Sequence, residues 1–226
     1  MSAGDSAAPA GDAVEIGIVD YGMGNRRSVE KAFAHVGARP FLSSDPERLR
    51  EAAGLVLPGV GAFPKAMANL RRLGLDDFLR ERVGAEVPLL GICLGMQLAF
   101  DSSQEQGGAA GLGLIAGEVL PLRTGGLKLP HIGWNEVELR AADSPLVREL
   151  PLRCAFYHVH SLAPVLSDPE DLIGTATYGD TFVTAVQHGS FYGVQFHPEK
   201  SSAAGLRMLA NFGAVCLARD GSPALR

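Results

Sequence analysis

The sequence predicts an α/β protein with a central mixed, largely parallel sheet flanked by helices and extended by antiparallel strands in the C-terminal half. Three observations carry this. Over roughly the first hundred residues, short apolar runs bounded by glycine alternate with stretches of helical period, the pattern of parallel strands joined by crossover helices. From Leu114 onward, strand-like stretches follow one another through short turns, and such neighbours pair antiparallel. Apolar residues are 46% and charged residues 20% of 226, a balance that fills the core of one soluble domain.

Val14–Asp20 (VEIGIVD) reads as the first strand and ends in Tyr21-Gly22-Met23-Gly24-Asn25. A helix follows on Val29, Phe33 and Val36 and stops at Gly37. Arg39–Leu42 is a second strand, and Asp45 caps a short helix opened by Pro46. Gly54–Leu57 is short and wholly apolar, as a sheet interior requires, and runs into Pro58–Phe63 (PGVGAF). Helices over Pro64–Leu73 and Asp76–Arg82 precede the strand that ends at Cys93. In the second half, strands fall at Leu114–Leu122, Ile132–Leu139, Ala155–Leu162, Leu172–Tyr178, Phe182–Gln187 and Phe191–Phe196. Ser144–Leu150 alone among them looks helical. A last helix runs from about Ser202 to Gly221, with Leu206, Leu209, Phe212 and Val215 on one face. Residues 1–12, rich in Ala, Gly, Ser and Asp, read as a disordered extension ahead of one domain over 13–226.

Composition excludes several functions. A net charge of −5 with no basic block argues against nucleic-acid binding. No apolar run approaches the roughly 20 residues of a membrane span. Cys93, Cys154 and Cys216 are odd in number, far apart and without C-x-x-C spacing, so neither a disulfide framework nor a structural zinc site is expected, and the compartment is cytoplasmic by default. His158 and His160 alternate around Val159, with no carboxylate or cysteine nearby to complete a metal set. The Gly22-x-Gly24 pair follows a strand, but Arg27 stands where a dinucleotide fingerprint needs its third glycine. Those glycines read instead as a tight loop at a functional edge.

The chain is organised around Gly91-Ile92-Cys93-Leu94-Gly95, a strand-to-helix turn of the G-x-nucleophile-x-G kind with sulfur at its tip. A helix start beside the sulfur favours thiolate. Taken alone, G-x-C-x-G is as readily a buried structural turn. The second motif, Gly193–Ser201 (GVQFHPEKS), supplies the rest. Residues two apart in an extended segment share a side, so Glu199 can orient His197, and His197 can exchange a proton with Cys93.

Gly91–Gln97 (GICLGMQ) and Gly193–Glu199 (GVQFHPE) resemble the two signatures of the class I, triad-type glutamine amidotransferases, and the resemblance covers Val14 to Leu217. It implies an α/β domain that hydrolyses the side-chain amide of glutamine through a γ-glutamyl thioester. Cys93 would be the nucleophile, His197 the base and acid, and Glu199 the orienter. Within that family, Tyr21–Asn25 (YGMGN), Pro58–Phe63 (PGVGAF), His131–Asn135 (HIGWN) and His197–Ser201 (HPEKS) are similar to the glutaminase subunits of imidazole glycerol phosphate synthases. Most other members read P-G-G-P where this chain has P-G-V-G. The resemblance implies a heterodimer with a separate cyclase subunit. That subunit would use the ammonia to make imidazole glycerol phosphate and aminoimidazole carboxamide ribotide for histidine and purine synthesis, and the stand-alone length agrees. No cofactor is implied.

Further roles follow from position beside these motifs and, for the partner face, from the same resemblance. Backbone N–H groups of Val60 and Leu94 would form the oxyanion hole. Val60, where related enzymes carry glycine, predicts a hole that is assembled only when partner and ligand bind. Gly61, Gln97 and Ser161 would line the substrate site, and Asn25 and Lys200 would face the partner. Trp134 is expected in packing or an interface, and Cys154 and Cys216 as inert thiols. The chain departs from the family at Tyr157–Leu162, with His158 for the usual Phe and Leu162 for the usual Tyr. Three alternatives stand beside this reading: a glutaminase serving anthranilate, aminodeoxychorismate, pyridoxal phosphate or GMP synthesis; a cysteine hydrolase using the same triad; and an interaction module with a vestigial site.

Overall fold

The computed structural model describes residues 13–140 and 143–219; the extension expected over residues 1–12 lies outside them. Five strands pair in parallel: β2 (Arg39–Ser43), β1 (Glu15–Val19), β3 (Gly54–Gly59), β4 (Leu89–Cys93) and β13 (Phe191–Val194), in that spatial order. The sheet then continues antiparallel through β12 (Asp180–His188), β11 (Leu172–Tyr178), β8 (His131–Leu139) and β9 (Arg153–His160), making nine strands. The inner parallel strands β3, β4 and β13 are buried along their whole length because helices cover both faces. Ile16, Ile18, Val56, Leu90 and Ile92 pack on one side with Phe33 of α1 (Arg26–His35) and with Met208, Leu209 and Phe212 of α6 (Ser202–Arg219). Leu55, Leu57 and Leu89 point the other way, against Phe63, Met67 and Leu70 of α3 (Phe63–Arg72) and Phe78 and Leu79 of α4 (Leu75–Gly84). Period-two alternation therefore builds two cores from one set of strands.

The short helix α2 (Pro46–Arg50) is capped as the sequence reads, by Asp45 accepting from the Glu47 N–H at 3.0 Å. Other elements differ in instructive ways. The helix after Cys93 is only α5 (Leu94–Leu98), and the chain passes directly into β5 (Phe100–Ser103). With β6 (Ala109–Ala110), β7 (Ile115–Pro121) and β10 (Leu162–Leu166), that strand forms a second, four-stranded sheet. The stretch read as one strand over Ala155–Leu162 divides at Ser161, where β9 leaves the large sheet and β10 enters the small one. Ser144–Leu150 keeps only a single 3₁₀ turn, Pro145–Val147. The buried face of α6 is Gly205, Met208, Leu209, Phe212, Gly213 and Cys216, rotated from the stripe on Leu206 and Val215. A Cβ on Gly205 would lie 2.0 Å from the Pro198 carbonyl, so α6 is turned to press its start onto the turn after His197. Among the described residues no helix is long and apolar enough to cross a membrane.

Two glycines let the elbow close. A Cβ on Gly91 would sit 2.7 Å from the Gly95 carbonyl, and one on Gly95 only 1.7 Å from the Leu57 carbonyl. Gly95→Ala is therefore expected to cost about 3 kcal/mol or to prevent folding. Gly84→Ala, at an open helix end with nothing within 4 Å, should gain about 0.5–1 kcal/mol. Urea midpoints for the two variants check both expectations, and equal midpoints would refute the packing argument.

Candidate active site

The ends of β1, β3, β4 and β13 lie side by side, so the loops that follow them converge. Cys93 closes β4 at φ 54°, ψ −109°, a backbone region that a non-glycine residue occupies only under constraint. In register, Gly59 lies opposite Cys93, and Val194 opposite Ile92. Continuing that register places Gln195 beside Cys93 and His197 two residues on along the same side. Cys93 is 6% exposed. Its sulfur lies 3.7 Å from Gln195 Nε2 and 3.8 Å from the Val159 carbonyl.

The His197 side chain is buried, and its Nδ1 donates to Glu199 Oε1 at 2.8 Å. Donation to a carboxylate fixes the proton on Nδ1, which leaves Nε2 for the sulfur. Burial by itself pushes the imidazole down, but contact with the Cys93 sulfur and then with Glu199 overrides it, raising His197 to about 10. Glu199 Oε1 also accepts from Asn25 Nδ2, while Oε2 is buried without a protein partner. A carboxylate this dry is tolerable because a cation is its neighbour. The backbone holds the group in place: Ser201 Oγ donates to the His197 carbonyl at 2.6 Å and accepts from the Tyr157 N–H at 3.0 Å.

Cys93, His197 and Glu199 are brought together. Leu94 is the first residue of α5, so its N–H precedes the helical ladder and is free by position. Val60 follows β3 with its side chain 40% exposed, beside Gly61 at φ +121°, where a Cβ would also meet Met23 at 2.7 Å. Tyr21 is buried beneath this loop and donates to the Pro58 carbonyl at 2.8 Å; burial first, then the nearby Cys93 sulfur, raises its phenol far above the ordinary value. Gln97 is buried, and both its amide hydrogens are used, on Gln195 Oε1 at 3.0 Å and the Leu162 carbonyl at 3.1 Å. Ser161 is half-buried at the β9–β10 crossover, its carbonyl accepting from the Leu122 N–H at 2.9 Å. Asn25, in left-handed conformation at φ 67°, turns its amide inward to Glu199 and leaves its own helix start uncapped. Lys200 is exposed, 5.9 Å from the Tyr157 ring, and Tyr157 in turn meets Trp134 edge-on. Ile132 and Trp134 on β8 are 60% and 53% exposed, so the tryptophan stands at the surface rather than in the core.

Sequence reasoning missed Gln195, Ser201 and the histidine cluster. His158 Nδ1 bonds the Phe156 carbonyl and Nε2 the Thr184 hydroxyl, at 3.1 and 2.8 Å. His160 Nδ1 bonds the Leu162 carbonyl at 2.8 Å and Nε2 faces His131 Nδ1 at 3.3 Å. Burial drives His158 down to about 2 and His160 to about 4, and lowers His131 as well. They are neutral imidazoles beside a cationic one. No group of three His, Cys, Asp or Glu among the described residues is placed to hold a metal. Cys154 and Cys216 are free thiols pushed up by burial, Cys154 to about 11.

The family model for "Glutamine amidotransferase class-I" matches residues 17–216, and the chain belongs to that family. Solved structures with the same fold include a GMP synthase component from Thermoplasma acidophilum, at TM-score 0.72, 19% identity and coverage of 93% of this chain and 98% of that one. PurLQS from Thermotoga maritima superposes at TM-score 0.72 with 17% identity, covering 88% of this chain and 97% of that one. Much closer in sequence is the imidazole glycerol phosphate synthase subunit HisH of Moorella thermoacetica, 49% identical over 88% of this chain and 93% of its own length. The HisH subunits of Symbiobacterium thermophilum and Salinibacter ruber are 50% and 46% identical, covering 87% and 88% of this chain and 92% and 93% of theirs. Within the class-I family, the chain therefore falls in the HisH branch.

The raised His197 has a stability consequence. Its folded value near 10 exceeds the unfolded 6.5, so its contribution is complete below about pH 6.5 and is lost as pH rises toward 10. The melting temperature of the wild type relative to His197→Asn should fall across that window. Parallel curves for the two proteins would contradict the assignment.

Proposed function

We propose that the chain hydrolyses glutamine at Cys93, as the glutaminase of an imidazole glycerol phosphate synthase in the cytoplasm. The observation that carries the reading is a cysteine on a strained elbow facing a buried histidine–carboxylate pair. The Cys93 thiolate attacks the carboxamide carbon and the carbonyl π electrons move to oxygen. N–H groups of Val60 and Leu94 receive that oxyanion, each donor worth about 3 kcal/mol of transition-state stabilisation. Collapse breaks the C–N bond, and the Nε2 proton of His197 goes to the departing ammonia. His197, now neutral, takes a proton from water as the water attacks the thioester. Release of glutamate returns the thiolate. Gly61 and Ser161 line the glutamine pocket, and the proton shuttle contributes a factor of about 10²–10⁴.

The partner is a cyclase subunit that receives the ammonia. Support comes from the HisH branch and from the surface next to the triad. Exposed Ile132 and Trp134 adjoin Tyr157 and Lys200, and an aromatic and aliphatic patch beside a lysine suits an interface core. The turn Pro198–Lys200 joins buried Glu199 to exposed Lys200, so docking there would bear directly on the triad. Asn25 belongs to the same edge, with its amide spent on Glu199.

The deciding experiment measures glutamate release from glutamine by the chain alone and with the cyclase and its ribulose-phosphate ligand. A weak rate alone, a large rise in the ternary mixture and none with Cys93→Ala are expected. Release independent of Cys93 would end the proposal. Trp134→Ala should weaken cyclase binding about thirtyfold, or ~2 kcal/mol, by titration calorimetry, and unchanged affinity would move the interface elsewhere. Val60→Gly should raise the partner-free rate and shrink the stimulation. If both rates stay put, the hole is not gated at Val60.

A further inference from the structure

We propose that Gln195 is a fourth member of the catalytic group, whose carboxamide donates a hydrogen bond to the Cys93 thiolate and holds the sulfur toward His197. The inference rests on Cys93 being the nucleophile. Gln195 is fully buried, and its backbone N–H is bound to the Thr184 carbonyl at 2.8 Å, so its side chain leaves the sheet edge from a fixed root. Nε2 reaches Cys93 Sγ at 3.7 Å and Oε1 accepts from Gln97 Nε2 at 3.0 Å.

The chemistry of the chain of bonds sets which end of the amide faces sulfur. The Leu162 carbonyl can only accept, so the group that Gln97 turns to it must be its NH₂. The second hydrogen of that NH₂ then points at Gln195 and requires an acceptor, Oε1. Gln195 is left with its donor on the sulfur side. His160 Nδ1–H donates to the same Leu162 carbonyl at 2.8 Å, which keeps that carbonyl in place. The polarity runs one way from a backbone carbonyl to the nucleophile, with no free rotor between. A donor fixed in a dry site favours the anion over the thiol. The two flanking residues thus divide the work: His197 exchanges the proton, and Gln195 keeps the sulfur charged and aimed when the proton has gone.

Reactivity of the sulfur without substrate separates this role from a glutamine contact. The ionisable groups that face Cys93 are His197 and Tyr21, and neutral His158 and His160 lie close to His197; a change at Gln195 removes none of these groups. The rate of alkylation by iodoacetamide is followed against pH on the full chain, with Cys93→Ala subtracted for Cys154 and Cys216. Gln195→Met keeps the volume and removes the donor, and its profile is expected to move to higher pH. Gln195→Glu, which sets an acceptor against the sulfur, should move it further. Glutamate release stimulated by the cyclase should fall about tenfold or more in kcat with little change in KM. Should the Gln195 variants fail to fold, Gln97→Met leaves Gln195 free to turn and should move the alkylation profile part of the way in the same direction. Profiles that coincide with the wild type in folded variants overturn the inference. Glutamate release that survives in Cys93→Ala overturns instead the nucleophile reading beneath it.

Discussion

The structure depends on the conformation forced on Cys93. At φ 54° and ψ −109° the residue stores about 1–3 kcal/mol of backbone strain, and something must hold it there. What holds it is close packing. The elbow lies flush on β3, with Gly95 so near the Leu57 carbonyl that no side chain fits, and Gly91 is closed over by Gly95 itself. Because β4 is flanked by β3 and β13, the strained turn cannot relax without breaking a ladder on either side. The sulfur therefore leaves the sheet edge in one direction, toward the segment that carries Gln195 and His197.

Electrostatics then sorts the buried polar groups. His197 is raised because a carboxylate and a sulfur both face it. Three other histidines within the same interior are lowered by desolvation, and His158 and His160 also by neighbouring imidazoles. One imidazole is thus kept cationic while its neighbours stay neutral, and positive charge is confined to the group that faces Cys93. Glu199 is paid for in the same way: two donors meet one of its oxygens, and the neighbouring imidazolium meets its charge. His158, where the family usually has Phe, fits this scheme as a neutral filler bonded to Thr184 and Phe156.

The supports of the site come from distant parts of the chain. Asn25 from the first loop reaches Glu199, Tyr21 from the same loop bonds the Pro58 carbonyl, and Glu105 accepts from the Phe63 N–H at 2.6 Å where α3 begins. The exposed Lys200 is one short turn from the buried Glu199 carboxylate, so this surface and the buried pair share a rigid connection rather than a loose loop.

The sequence by itself determined the parallel half of the sheet, the elbow at Cys93 and the His197–Glu199 pair. Each is written locally: a wholly apolar run means a strand buried on both faces, paired glycines mean close backbone approach, and residues 197 and 199 share a side because strands have period two. Family membership was legible on the same motifs. Tertiary structure alone decided the second sheet, because β5 and β6 are too short to show a period and Ser161 gives no local signal of a crossover. It alone decided that Asn25 bonds Glu199, that α6 buries Gly205 and that Gln97 serves Gln195. The two hydrogen bonds join residues 174 and 98 apart in the chain. Hydrogen-bond polarity across such distances is set by which carbonyl the fold brings near, and nothing in a run of neighbouring residues encodes it.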